Sequence, residues 1–165
     1  MKILEVRSQT EIDEAASLMR GLYETVRSLN RDDLQRIEEY YRGSWFFDRS
    51  PKIPPEYRPP QGDVLIAYLG DRPVGTVAVR RMNRDHCELK SMFVAKDCRS
   101  KGVASALCKR VIGLARKQGY HTVRLMTGER QVPARRLYER LGFKMVTSWD
   151  ANPHEAHEYF ELVIA

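Results

Sequence analysis

Glu88-Leu89-Lys90-Ser91-Met92-Phe93-Val94-Ala95-Lys96-Asp97-Cys98-Arg99-Ser100-Lys101-Gly102-Val103-Ala104-Ser105 is the stretch whose reading decides the fold. Its first seven residues form a strand-like run, and Ala95 to Cys98 form a polar turn. Arg99 to Ala104 then leads straight into an amphipathic helix. A helix N-terminus leaves backbone N–H groups without partners and carries a partial positive charge. A turn of small residues lets a phosphate approach those groups. Gly102 and Ala104 supply the smallness, and Arg99 and Lys101 supply charge. The pattern suits a pyrophosphate or a similar anion. No Gly-Lys-Ser/Thr follows the spacer of a Walker loop, and the three glycines of a dinucleotide fingerprint are absent. The plainer alternative is an ordinary strand-to-helix turn with solvated bases.

Downstream, apolar residues Val103, Ala104, Leu107, Cys108, Val111, Leu114 and Ala115 share one arc of a helix from about Lys101 to Gln118. Lys109, Arg110, Arg116 and Lys117 take the other arc, and Gly119 is a stop signal. His121–Thr127 reads as a strand, Gln131–Leu141 as a short helix, and Phe143–Thr147 and Tyr159–Ile164 as two final strands. Upstream, Asp63–Leu69, Val74–Arg81 and His86–Val94 form a meander joined by short turns, hence antiparallel. The helix between His86–Val94 and His121–Thr127 makes that pair a parallel crossover. Lys2–Arg7 is a first strand. A long helix runs from Glu11 to Asn30, capped by Ser8 or Thr10, and a second helical stretch runs from Asp32 or Asp33 toward Phe47. Ser50–Gln61 holds five prolines in twelve residues and is read as an ordered loop over one face. The expected fold class is α/β, a mixed sheet with helices on both faces.

The 165 residues suffice for one domain with a real core. A net charge of +6 favours anionic partners. Acids are interspersed among the bases, which argues against a nucleic-acid tail. No apolar signal core or membrane-length run is present, so no membrane partner is expected. Three cysteines without a CxxC pair point to a reducing cytoplasm. His154 and His157 have HxxH spacing but no accompanying carboxylate or cysteine cluster, which argues against a structural zinc.

Two motifs resemble the GCN5-related N-acetyltransferase (GNAT) superfamily. Arg99-x-x-Gly102-x-Ala104 is similar to its cofactor pattern Arg/Gln-x-x-Gly-x-Gly/Ala. Ala134-x-x-x-Tyr138-Glu139-x-x-Gly142-Phe143 is similar to its next motif. The strand order matches as well, over the whole chain. Cys87–Val94 resembles a bacterial subgroup with a Cys-Glu-Met-Lys-Arg-like strand. That subgroup has a proline-rich loop, as at Pro54–Gly62, and an Asp-Asn-Pro-like segment, as at Asp150-Ala151-Asn152-Pro153. Gln131 departs from the family's usual asparagine but keeps an amide; Ala104 is a permitted variant.

The resemblance implies acetyl-CoA as co-substrate, no metal, and a small-molecule, amino-acid or peptide amine as acceptor. It places the pantetheine arm along Met92, Phe93 and Val94. The phosphates fall on Arg99, Ser100, Lys101, Gly102, Val103, Ala104 and Ser105, with Gln131 and Tyr138 nearby. GNAT sheets often pair, which leaves a homodimer open. A primary amine with pKa near 10.4 is free base in only about one molecule in 2,500 at pH 7, so a base is needed. Glu88, on the strand that faces the acetyl group, is the candidate, directly or through water. A backbone N–H at a strand bulge near Met92 or Phe93 can hold the developing oxyanion. Tyr138 is the candidate acid for the departing thiolate. The bland alternatives are a surface Glu88 paired with Lys90 or an arginine, and a core Tyr138 with a bonded hydroxyl. Tyr23, Tyr41, Tyr57, Trp149 and Asp150 are candidate acceptor walls. A non-catalytic acyl-CoA sensor on the same fold is the competing class, and the presence of both Glu88 and Tyr138 favours the enzyme.

Overall fold

Strand β2, Asp63–Leu69, is buried along nearly its whole length, and its two faces feed two cores. Leu65 and Ala67 join the larger one, with Val77, Val79, Leu89 and Leu107. Val64, Ile66 and Tyr68 point the other way, to Ala15, Ala16 and Met19. This explains the near-continuous apolar run, since a strand covered on both sides has no solvent face to keep polar. The computed structural model describes residues 1–165.

The remaining strands are β1 (Lys2–Glu5), β3 (Arg72–Arg81), β4 (His86–Val94), β5 (Thr122–Gly128), β6 (Lys144–Val146) and β7 (His157–Val163). They form one seven-stranded sheet in the order β1-β2-β3-β4-β5-β7-β6. Only β4 and β5 run parallel; every other neighbouring pair is antiparallel. Helices α1 (Gln9–Leu29) and α2 (Leu34–Tyr41) precede β2; α3 (Val103–Lys117) and α4 (Val132–Arg140) flank β5 in sequence. The mixed sheet and its parallel crossover agree with the pattern of apolar periods and turn lengths.

Local chemistry sets the helix ends. Ser8 accepts from the Glu11 amide while the Glu11 carboxylate accepts from the Ser8 amide, a reciprocal capping box. α2 stops at Tyr41 and does not reach Phe47. Gly43 turns the chain at φ 74°, and Trp45–Phe47 forms a separate 3₁₀ turn that seats Phe46 in the smaller core. β1 is likewise shorter than the alternation suggests, although the Val6 amide still donates to Val64. α3 buries Val103, Leu107, Cys108, Val111, Ile112 and Ala115, while its four bases are exposed.

The proline-rich segment is ordered. Ile53 is buried, and Tyr57 packs on the smaller core. The carbonyl of Gln61 accepts the Tyr120 hydroxyl at 2.6 Å. Gly62 closes this loop onto the sheet, and a Cβ there would overlap the carbonyl oxygens of Val79 and Glu56. Gly62→Ala is therefore expected to force the loop off β3 and to cost roughly 1–3 kcal/mol, as overpacking does. Urea unfolding of the variant checks this; an unchanged midpoint would show that the loop is not closely seated.

Candidate active site

The site begins where β4 and β5 part. Their ladder consists of His86↔Thr122, Cys87↔Val123 and Glu88↔Arg124 and then stops. β5 continues to Gly128, paired with β7 on its other side. From Leu89 onward β4 is laddered only to β3. On that side Thr76 faces Phe93 and Ala78 faces Lys90, so Ser91 and Met92 together oppose Val77. This is a β-bulge, and Ser91 holds φ 56° within it. The bulge expected near Met92 or Phe93 is thus centred on Ser91-Met92. The Phe93 ring lies on α1 at Gly21, where a Cβ would stand 2.8 Å from it. Val94 is buried in the larger core. The side chains of Phe93 and Val94 are structural, whereas their main chain lies on the strand segment that β5 leaves unladdered.

At the far end of β4 the chain turns into α3. Ser100 and Gly102 both hold left-handed backbone, at φ 62° and 79°. The six consecutive amides from Ser100 to Ser105 find no acceptor within the protein, and Gly102 offers no side-chain cap. A side chain on Gly102 would meet nothing within 4 Å. Unpartnered amides around two left-handed residues at a helix start are suited to anionic oxygens. Arg99 is tied back: its Nε donates to the Val94 carbonyl at 3.2 Å and its guanidinium lies over Phe93. Lys101 is exposed. None of Arg99–Ser105 borders the cleft next described; β4 is the element that joins the two.

That cleft has a volume of about 350 Å³. Glu88–Met92 of β4, Met126–Gly128 of β5, Gln131 and Tyr138 line one part of it, and the ends of α1 and α2, the proline loop and His157 line the rest. Glu88 is not a surface residue; it is 4% exposed. Its Oε2 accepts from Arg80 Nε at 2.7 Å, across the β3–β4 register. Its Oε1 lies 3.8 Å from Lys90 Nζ. The Lys90 ammonium donates to the Tyr40 hydroxyl at 3.1 Å. Burial pulls the Lys90 pKa down, but Tyr40, Glu88 and Tyr57 outweigh it and the net shift is upward, so Lys90 is a cation.

Tyr138 packs edge-on against Phe143 and is also a cleft residue. Burial pushes its phenol well above the ordinary value of 10, and no hydrogen bond contributes to that shift. The hydroxyl is therefore protonated at neutral pH and unclaimed. Gln131 Oε1 accepts the Gly128 amide at 2.9 Å, which leaves its NH₂ group free at the cleft. Of the proposed acceptor walls, Tyr41 and Tyr57 line the cleft; Tyr23, Trp149 and Asp150 do not.

Sequence reasoning misses Arg36, Tyr40 and Lys90 as cleft residues, and reads His157 only as half of an HxxH pair. Arg36 Nη1 lies 3.2 Å from His157 Nε2. A guanidinium can only donate, so Nε2 accepts. Arg36 Nε is paired with Asp33 at 2.6 Å. No group of three or more His, Cys, Asp or Glu side chains is arranged to hold a metal ion.

Residues 23–143 match the acetyltransferase (GNAT) family. The chain belongs to that family. Among the relatives of this GNAT chain is an N-acetylaspartate synthetase from Xenopus tropicalis, 33% identical over 117 residues, which are 70% of this chain and 38% of that protein. The chain therefore spans well under half the length of that relative. Its fold is also that of a GNAT-family acetyltransferase from Staphylococcus aureus, with TM-score 0.73 and 19% identity over 99% of both chains. A GNAT-family acetyltransferase from Elizabethkingia anophelis with acetyl-CoA bound aligns at TM-score 0.55 and 18% identity, over 62% of this chain and 76% of that one.

Desolvation, with Arg36 and His154 adding to it, lowers the His157 pKa from 6.5 to about 4 in this GNAT chain. The unfolded chain takes up that proton at higher pH than the native one does. Stability owed to neutral His157 is thus complete above about pH 6.5 and is lost as pH falls toward about 4. His157→Gln is expected to flatten the decline of Tm between those values; an unaltered pH profile would show that His157 titrates as an exposed histidine.

Proposed function

We propose that this chain transfers an acetyl group from acetyl-CoA to a primary amine of a small molecule, amino acid or peptide, by direct attack. The observation that carries this reading is the run of six unpartnered amides, Ser100–Ser105, at the end of a strand whose far half is free of β5. The diphosphate of acetyl-CoA fits the first feature and its pantetheine arm the second. Gln131 offers its free NH₂ to the arm, and Lys101 adds charge beside the turn.

The chain's own groups then meet three demands. Glu88, fixed through Oε2 by Arg80, keeps Oε1 to accept the amine's proton, directly or through one water. A main-chain N–H at the Ser91-Met92 bulge is positioned to stabilise negative charge on the acyl oxygen. Tyr138, kept protonated by burial, donates to the leaving thiolate. The buried free thiols Cys87, Cys98 and Cys108 fit a reducing cytoplasm as the place of action.

Steady-state kinetics of thiol release test the assignment. Gly102→Val places bulk and strain where φ is 79° and is expected to raise the KM for acetyl-CoA at least tenfold, to order of magnitude, with the fold retained by circular dichroism. Tyr138→Phe is expected to lower kcat by roughly tenfold or more with little change in CoA affinity. An unchanged KM in the first variant would remove the phosphate site, and an unchanged kcat in the second would leave Tyr138 a core residue only.

A further inference from the structure

The wall of the cleft includes part of a charge cluster whose imbalance the transfer reaction does not use. Arg80, which lies outside the cleft, and Lys90, which lines it, share one carboxylate, Glu88. That cluster therefore carries one positive charge in excess. Glu56, the other carboxylate bordering the cleft, is exposed and pairs with neither cation. Arg36, the other cation that lines the cleft, is matched by Asp33. Lys90 is the ill-satisfied member of the set. Its side chain is only 23% exposed, it gives one hydrogen bond to Tyr40, and its nearest carboxylate oxygen is 3.8 Å away. A half-buried ammonium with spare donors stands ready for a further anion.

An acceptor that arrives as an ammonium alone would meet this excess as repulsion. An acceptor that also carries a carboxylate would cancel it. The spacing narrows the class further, because Glu88 Oε1 and Lys90 Nζ are opposite charges 3.8 Å apart. An ammonium and a carboxylate borne on the same carbon, as in a free amino acid, present the complementary pair at a similar spacing. Resting on the transferase reading above, we propose that the acceptor is a free amino acid whose carboxylate is held by Lys90 while its amine faces Glu88. The Tyr40 hydroxyl, which accepts from Lys90, fixes the direction of the ammonium and is a positioning group.

The test uses the full chain, acetyl-CoA and matched acceptors: L-alanine, L-alaninamide, ethylamine, L-aspartate and aspartate α-amide, which keeps only its side-chain carboxylate. Wild type is expected to favour L-alanine over L-alaninamide and ethylamine by about tenfold to a hundredfold in kcat/KM, the range of a lost charge-assisted hydrogen bond. Lys90→Met is expected to erase that preference, and Lys90→Arg to restore part of it. Calorimetry with CoA reports whether each variant is folded. A preference for aspartate α-amide over L-aspartate would overturn the assignment of the α-carboxylate. Equal turnover of ethylamine and L-alanine, or a Lys90→Met loss shared by every acceptor, would overturn the proposal while leaving the transferase reading intact. Failure of every amine to stimulate thiol release would overturn both.

Discussion

The ladder between β4 and β5 ends after Glu88↔Arg124, and the arrangement of the site follows from that break. Backbone amides and carbonyls are obligatory hydrogen-bonding groups, and leaving them unpaired has a cost unless water or a ligand serves them. Here the unpaired groups are concentrated in two places on one continuous segment: the half of β4 that β5 does not reach, and the turn from Ser100 to Ser105. A chain that needed only stability would close both. The parting is supported from behind, where β4 stays laddered to β3 and α3 packs into the larger core through Val103 and Leu107. The open groups thus sit on a rigid base.

The two cores divide the labour. The larger one, with α3 and α4 packed into it, holds the helix whose first turn carries unpartnered amides and the helix that presents Tyr138. The smaller one seats α1, Phe46, Ile53 and the flank of Tyr57, so it sets the distal wall of the cleft. β4 puts Cys87, Leu89 and Val94 into the larger core and lays Phe93 on α1. Glu88 and Lys90 are two apart, hence on one side of the pleat, and the following bulge changes the facing before Phe93 returns to α1. One strand thereby carries a buried carboxylate, a half-buried ammonium and an open main chain within seven residues.

Much of this is legible in the sequence where the signal is local. The strand–turn–helix unit declares itself through period changes and through Gly102, and the five prolines of Ser50–Gln61 declare an ordered loop by excluding helix and central strand. Gly43 marks the true end of α2, a stop signal that the tyrosines and tryptophan around it obscure. What the sequence hides are pairings set by topology. Arg36 reaches His157 across 121 positions, and Lys90 reaches Tyr40 across 50. Ser91 gives no warning of its positive φ, because a serine there is forced by register and not by propensity. Glu88 reads equally well as a surface residue, since its burial depends on Arg80, which lies opposite it only once β3 and β4 are in register.

The most direct measurement is amide hydrogen exchange, followed by NMR on the labelled chain with and without coenzyme A. If the unpartnered groups are the ligand's seat, the amides of Ser100–Ser105 and those of β4 beyond Glu88 that are not bonded to β3 will exchange more slowly and shift in saturating ligand, while those of α1 and β1 stay as they were. Binding that leaves the Ser100–Ser105 amides exchanging at their free rate would contradict the account.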